Sequence, residues 1–375
     1  MTAVLDDALL DDPTRILDAD RAGLLRHAAT AGAQVRATWT AADDAGVGTL
    51  AGMRPRALVL LTRPGPAETT AGLVAALVAG LSPAPVLVTG TAPPWLGPLD
   101  VVVASHRGRD GDPADAVVAE AVDRAVRRGA TVVLVGPDEG PAAAAASGRG
   151  LAVVPRLPVP LDLLPDGLDA PTDLAAAFAV LAALGVLSVD RELLADRLDD
   201  EADRDGPRGE AFVNPAKTLA LRLAEHTPLL WGTDPVAGAV AAHGVGALAA
   251  HAGVVAQSST LAAAAHLPAL HQRLTATTSV DAVFADPFDD PAPEGPAPRL
   301  ALVTVLQDVG TRRRTEAARS RWPVADIIEV VDDDLAGEGP ARDALRAGLL
   351  AARLDFAALY LGLATGVAAT GIHAG

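Results

Sequence analysis

The chain contains no cysteine, which excludes disulfides, thiolate zinc sites and cysteine nucleophiles together. It has a single lysine, Lys217, so arginine carries nearly all of its positive charge. Usage this lopsided reflects the coding bias of a GC-rich genome more than the demands of any one site. Aromatic residues make up only 3% of the chain, leaving Ala, Val and Leu to build a core packed at short helix–sheet distances. Positive charge is also in short supply, with 30 Lys and Arg against 47 Asp and Glu and a formal net charge of −17. A field of that sign repels nucleic acid and anionic membranes, so neither is an expected partner. An anionic small substrate would need a local positive pocket. The opening residues Met1-Thr2-Ala3-Val4-Leu5-Asp6-Asp7 are acidic and lack the basic and apolar regions of a signal peptide. The longest near-apolar run, residues 356–369, is too short for a membrane span. The expected location is the cytoplasm of a bacterium.

With 375 residues, half of them apolar, the chain can bury a large core, and its length favours two domains. Short β-branched runs alternate with Ala-rich stretches of helical character. Residues 57–61, 85–89, 100–104, 131–135 and 151–154 read as strands buried on both faces of a parallel sheet. Residues 69–80 and 115–128 read as helices between them, which makes a five-stranded αβα sandwich. Two helices are expected over residues 8–44, where Asp11-Asp12-Pro13 offers an acidic cap before a proline at the first helical position.

Residues 155–165 are Pro-rich, and residues 172–185 and 190–205 read as helices. A second α/β pattern follows, with strands expected at 228–231, 253–256, 280–284, 300–305 and 326–331. Helices are expected near 215–225, 236–250, 311–319 and 339–365, and an exposed loop over 286–298. The predicted architecture is two tandem αβα sandwiches with parallel five-stranded sheets. Residues 1–160 hold the N-terminal helices and first domain, 161–206 a helical connection, and 207–375 the second domain.

The segment richest in chemistry is Ser105-His106-Arg107-Gly108-Arg109-Asp110, a polar loop between an apolar strand and a helix. Backbone N–H groups at a helix N-terminus carry partial positive charge and receive anions. Ser105 could add a hydroxyl and Arg107 a bidentate fork. Every α/β unit also needs a polar turn at this place, so the loop alone does not distinguish a site from a connection.

Three further segments sharpen the reading: Asn214-Pro215-Ala216-Lys217 at the start of the second half, the loop after Ala104, and the tail from Asp355 through Gly366-Val367. In their order and spacing the chain resembles the sugar isomerase (SIS) domain superfamily, in particular the two-domain bifunctional phosphoglucose/phosphomannose isomerases and their actinobacterial relatives. The resemblance implies SIS-like sandwiches, a sugar phosphate ligand, no cofactor, a homodimer, and aldose–ketose isomerisation. That reaction moves a proton between C1 and C2 and needs a carboxylate base and an acid. It also implies His266 as the acid/base residue, and Thr62, Arg63, Ser105, Arg107, Gly108 and Asp110 as contacts to the phosphosugar. With His266 on the family's His, Ala250 stands where the family has its Glu, and alanine cannot move a proton. The family's Gly-Met-Gly-Gly-Ser-Gly loop is replaced by Leu61-Thr62-Arg63-Pro64-Gly65-Pro66, in which two prolines have no N–H to donate. In the second loop Arg107 and Asp110 replace a Ser and a Thr, and the family's Pro-Arg pair reads Pro160-Leu161. These losses together favour a phosphosugar-binding protein with weakened or lost catalysis over an isomerase with a relocated base.

The remaining constellations carry less. The spacings of His243, His251, His266 and His271 do not repeat an i, i+4 pattern, so no metal is expected. The stretch Gly244-Val245-Gly246-Ala247-Leu248-Ala249 matches a dinucleotide fingerprint but continues a helix instead of leaving a strand. The acidic residues Asp286, Asp289, Asp290 and Glu294 read as a solvated loop, and Asp332-Asp333-Asp334 as a turn and cap.

Overall fold

A computed structural model describes residues 5–157, 159–160, 162–278 and 295–367. The chain opens with α1 (Pro13–Ala19) and α2 (Leu24–Ala28). As the sequence indicates, Asp12 caps α1 by accepting from the Thr14 and Arg15 amides, with Pro13 at the first helical position. Spatially the chain forms two compact units. One comprises Met1–Leu25, Arg204–Glu338 and Arg353–Gly375, and the other Arg26–Asp203 with Gly339–Ala352.

The unit built around residues 26–203 begins with α3 (Ala31–Asp44), β1 (Leu58–Leu61), α4 (Pro66–Val78), β2 (Val86–Thr89) and β3 (Val101–Ser105). It continues with α5 (Pro113–Arg127), β4 (Thr131–Val135), α6 (Pro141–Ala146), β5 (Leu151–Val153), α7 (Ala170–Ala183) and α8 (Arg191–Arg204). The five strands lie parallel in the order β2-β1-β3-β4-β5, with Leu58 paired to Val86 on one side and to Val101 on the other. The central strands are apolar because both faces are covered: Val59, Val102 and Val132 are fully buried in one cluster with Val118 and Val122 of α5.

The helices read at 172–185 and 190–205 are α7 and α8. Gln34 of α3 holds the start of α7, donating to Leu168 O at 3.0 Å and accepting from Thr172 Oγ1 at 3.1 Å. The order of strands reverses direction at β1 and β3, where the chain leaves toward β2 on one side and β4 on the other. In open α/β sheets the crevice outside the strand ends at such a point is where ligands bind.

The other unit contains α9 (Pro215–Leu223), β6 (Thr227–Gly232), α10 (Pro235–Ala252), β7 (Gln257–Thr260), α11 (Leu261–Ala264) and α12 (Pro268–Thr278). Then come β8 (Pro298–Val303), α13 (Val309–Arg321), β9 (Asp326–Ile328) and α14 (Pro340–Ala364), whose first part belongs to the unit of residues 26–203. Among the described residues its sheet has four parallel strands, in the order β7-β6-β8-β9. The strand read at 280–284 and the acidic loop residues Asp286, Asp289, Asp290 and Glu294 lie outside the described residues.

The strand expected at 253–256 is instead at 257–260. Gly253 is left-handed at φ +63° and caps α10, its N–H bonding Leu248 O, so the strand starts later. The 244–249 glycine stretch continues α10, as its sequence context implied. By length and hydropathy α10 and α14 could cross a membrane, but the most apolar window of α14 is 94% buried within the protein. Of the near-apolar run at 356–369, residues Phe356–Ala364 are buried in the chain itself.

Lys217 is fully buried at the start of α9. Its ammonium donates to the carbonyls of Leu10, Pro207 and Gly209 at 2.7, 2.8 and 2.7 Å and lies 5.4 Å from the Tyr360 ring centroid. Asn214 caps the same helix through the Lys217 amide. The Asn214–Lys217 motif is thus a clamp of three chain segments. Lys217→Met is expected to lower stability by about 3 kcal/mol or more, because buried carbonyls lose charged donors that water cannot replace. Urea midpoints of the two proteins check this.

Candidate functional site

The crevice at the ends of β1 and β3 collects most of the residues singled out from sequence. Thr62 and Arg63 follow β1, Ser105 ends β3, and His106, Arg107 and Gly108 follow it. The crevice has two small arms, one larger than the other, which share Ser105, Val135 and Asp173. The larger arm sets Thr62, Thr70, Ser105 and Asp173 against an apolar wall from β1, α4 and α7. The smaller is lined by Arg63, His106, Arg107 and Asp169.

The loop after β3 is held by backbone geometry. Gly108 has φ +71°, and a Cβ on Gly140, at φ +95°, would sit 2.8 Å from the Gly108 Cα. Only glycine permits that close approach between the two loops. His106 N–H donates to Val135 O, and His106 Nδ1 accepts from the Gly108 amide at 3.1 Å. Burial pushes the His106 imidazole below its ordinary pKa, so the neutral ring is favoured.

The amides of this loop point at an anion, and the anion is already there. Asp115, in the first turn of α5 and 0% exposed, accepts from the Arg107 amide through both oxygens at 3.1 Å and from the Arg109 amide at 2.8 Å. Its carboxylate lies 3.0 Å from Arg63 Nε. Arg63 also pairs with Asp112 at 2.7 Å and Asp166 at 3.1 Å, and these aspartates hold it charged against the cost of its burial. Arg107, read from sequence as a fork for phosphate, pairs with Asp169 and is 2% exposed. Arg109 donates to the carbonyls of Asp162 and Leu164, both at 2.8 Å. Asp110 is exposed at the turn before α5.

Asp173, half-buried on α7, faces Ser105 across the crevice. Burial, reinforced by neighbouring Asp169, raises its carboxyl from 3.8 to about 7, against the opposing pull of Arg107, the Ser105 hydroxyl donated to it, and Arg63. A carboxyl titrating near neutrality can take up or release a proton under working conditions. The Thr62 hydroxyl lines the same arm, is buried, and has no hydrogen-bond partner. Arg107→Ala is expected to cost about 3 kcal/mol or more in urea unfolding, since it strands Asp169 beside Asp173 without a cation.

The structure does not place every candidate here. His266 is exposed in the turn between α11 and α12 in the other unit, its N–H donating to Ala263 O at 3.0 Å, and Ala250 is exposed near the end of α10. His243 is buried, with Nε2 at 2.8 Å from Asp355 Oδ1. Among the described residues no group of three or more His, Cys, Asp or Glu side chains is arranged to hold a metal ion. The charged residues that sequence reading missed are aspartates: Asp112, Asp115, Asp166, Asp169 and Asp173. The available signals were Asp112-Pro113-Ala114-Asp115, which puts two carboxylates at a helix start beside an anion loop, and the i, i+4 spacing of Asp169 and Asp173.

Residues 212–374 match the family described as the bacterial phospho-glucose isomerase C-terminal SIS domain. A search of curated proteins finds no match to the chain. Among solved structures, the C-terminal domain of glucosamine-fructose-6-phosphate aminotransferase from Francisella tularensis aligns at TM-score 0.58 and 9% identity, covering 92% of this chain and 96% of that one. Tagatose-6-phosphate ketose/aldose isomerase from Escherichia coli aligns at TM-score 0.55 and 12% identity over 90% and 92% of the two chains. Glucosamine-6-phosphate deaminase from Thermotoga maritima aligns at 0.58 and 11% over 92% and 95%. At these identities the likeness is one of fold.

Proposed function

We propose that this chain, a member of the SIS superfamily, is a carbohydrate-binding protein related to the glucose-6-phosphate/mannose-6-phosphate isomerases in which aldose–ketose catalysis is weakened or lost. The observation that carries this reading is the Asp115 carboxylate seated on the Arg107 and Arg109 amides. A loop committed to an internal anion cannot also grip the phosphate that would position a sugar for proton transfer. Ala250 at the aligned base position and the exposed setting of His266 support the same reading. Sugar phosphates are the ligand class that kinship suggests, and a cytoplasmic homodimer belongs to the same proposal. The test is conversion of glucose 6-phosphate and mannose 6-phosphate in a coupled assay. Robust turnover at micromolar enzyme overturns it.

One observation favours a second reading. Asp173, with its carboxyl near 7 at the switch-point crevice, has the acidity wanted of a general base at neutral pH, so an active isomerase with a relocated base would use it. That reading requires turnover in the wild type that Asp173→Asn abolishes.

A further inference from the structure

The charges around the crevice are lopsided. Arg63, Arg107 and Arg109 face Asp112, Asp115, Asp166, Asp169 and Asp173, three guanidinium groups against five carboxyls. Arg63 and Arg107 are buried and each is engaged by carboxylate. A phosphate ester offers only acceptor oxygens and negative charge. Here it would meet donors already taken and carboxyls that repel it. The groups that remain ask for something else. Thr62 has a buried hydroxyl with no partner, and Asp173 and Ser105 stand in the same arm. An alcohol both donates and accepts, so one sugar hydroxyl can satisfy Thr62 and bond the Asp173 carboxyl in either protonation state. The apolar wall of the arm suits the C–H faces of a sugar ring.

We infer that the crevice between β1 and β3 takes an uncharged sugar and discriminates against its phosphate ester, with Asp115 as the built-in occupant of the anion position. This rests on the reading that the crevice binds carbohydrate. It adds the ligand class and assigns Asp115 the role of excluding phosphate.

Calorimetric titration of the full-length protein with glucose, mannose, glucose 6-phosphate and mannose 6-phosphate tests it. The free hexoses are expected to bind at least about tenfold more tightly than their 6-phosphates, and Thr62→Val to weaken the hexose by about tenfold, the worth of one hydrogen bond. Asp115→Ala and Asp115→Asn, with folding confirmed by circular dichroism, are expected to bind inorganic phosphate that the wild type does not. Hexose 6-phosphates binding as tightly as the free sugars overturn this inference and leave carbohydrate binding standing. No binding of any of the four at tens of millimolar overturns both. Unchanged hexose affinity in Thr62→Val, or an absence of phosphate binding in both folded Asp115 variants, removes the role assigned to that residue and overturns the inference.

Discussion

Supplied with glucose 6-phosphate or mannose 6-phosphate, the purified protein is expected to turn over at least about a thousandfold more slowly than a competent isomerase, because general acid–base catalysis is worth roughly 10²–10⁴. Moving a proton between C1 and C2 needs a base within hydrogen-bond reach of both carbons, and the resemblance, with His266 on the family's His, sets Ala250 where the family has its Glu, a residue with no group to offer. Holding the substrate for that transfer needs a grip on its phosphate, and the loop amides suited to it are bonded to Asp115. Charge stabilisation would fall to arginine, and Arg63 and Arg107 are both paired with aspartates. Restoring a single residue should therefore not restore the activity: Ala250→Glu alone is expected to stay near the wild-type background in the same assay. A rate within tenfold of a competent isomerase in the wild type would show that another carboxylate, with Asp173 the first to test, does the work, and the same rate in Ala250→Glu alone would show that the missing base was the whole defect.

The second large effect concerns stability and pH. The Asp173 carboxyl is raised from 3.8 to about 7 by burial, with Asp169 adding to the shift. In the unfolded chain it returns to the ordinary value. Between those two values the folded protein keeps a proton that the unfolded chain has released. This contribution to stability is fully present below about pH 4, falls as pH rises, and is gone above about pH 7, with a slope of up to ~1.4 kcal/mol per pH unit. Asp173→Asn keeps the shape and removes the titration. Its urea stability is expected to lose this fall with pH and, near pH 8, to exceed the wild type by roughly 2–4 kcal/mol. Comparing the variant with wild type at each pH cancels the titration of the other carboxylates to first order. Parallel stability curves for the two proteins would mean that Asp173 titrates as an ordinary surface aspartate, and would remove it as a candidate base as well.

Much of the fold was legible in the sequence alone. Period and composition placed the first five strands to within a residue or so, because strands buried on both faces must be continuous Val, Leu and Ala runs, a pattern that few other local structures need. The cap at Asp12-Pro13 was legible for the same kind of reason: one side chain and one missing N–H meet a requirement that exists only at a helix start. The strand expected at 253–256 was misplaced because Gly253 can end a helix or break a strand, and only the length of α10 decided which.

The loop at residues 105–110 was read from sequence as the place where chemistry gathers, and the structure puts it at the switch point of the sheet beside Thr62 and Arg63. The occupant of its anion position was not legible. Local sequence determines that backbone amides will face outward at a strand-to-helix turn, since it fixes φ and ψ. It does not determine which group answers them. Arg107 was taken as the cation that would bind a phosphate, yet its partner, Asp169, lies 62 positions along the chain on a different element. The carboxyl of Asp173 acquires its acidity only from burial beside Asp169, which no spacing encodes. Electrostatics act through space and through desolvation, so the sequence determined the scaffold and the location of the crevice, while the tertiary structure alone decided which charges meet there and that the anion position is filled by Asp115.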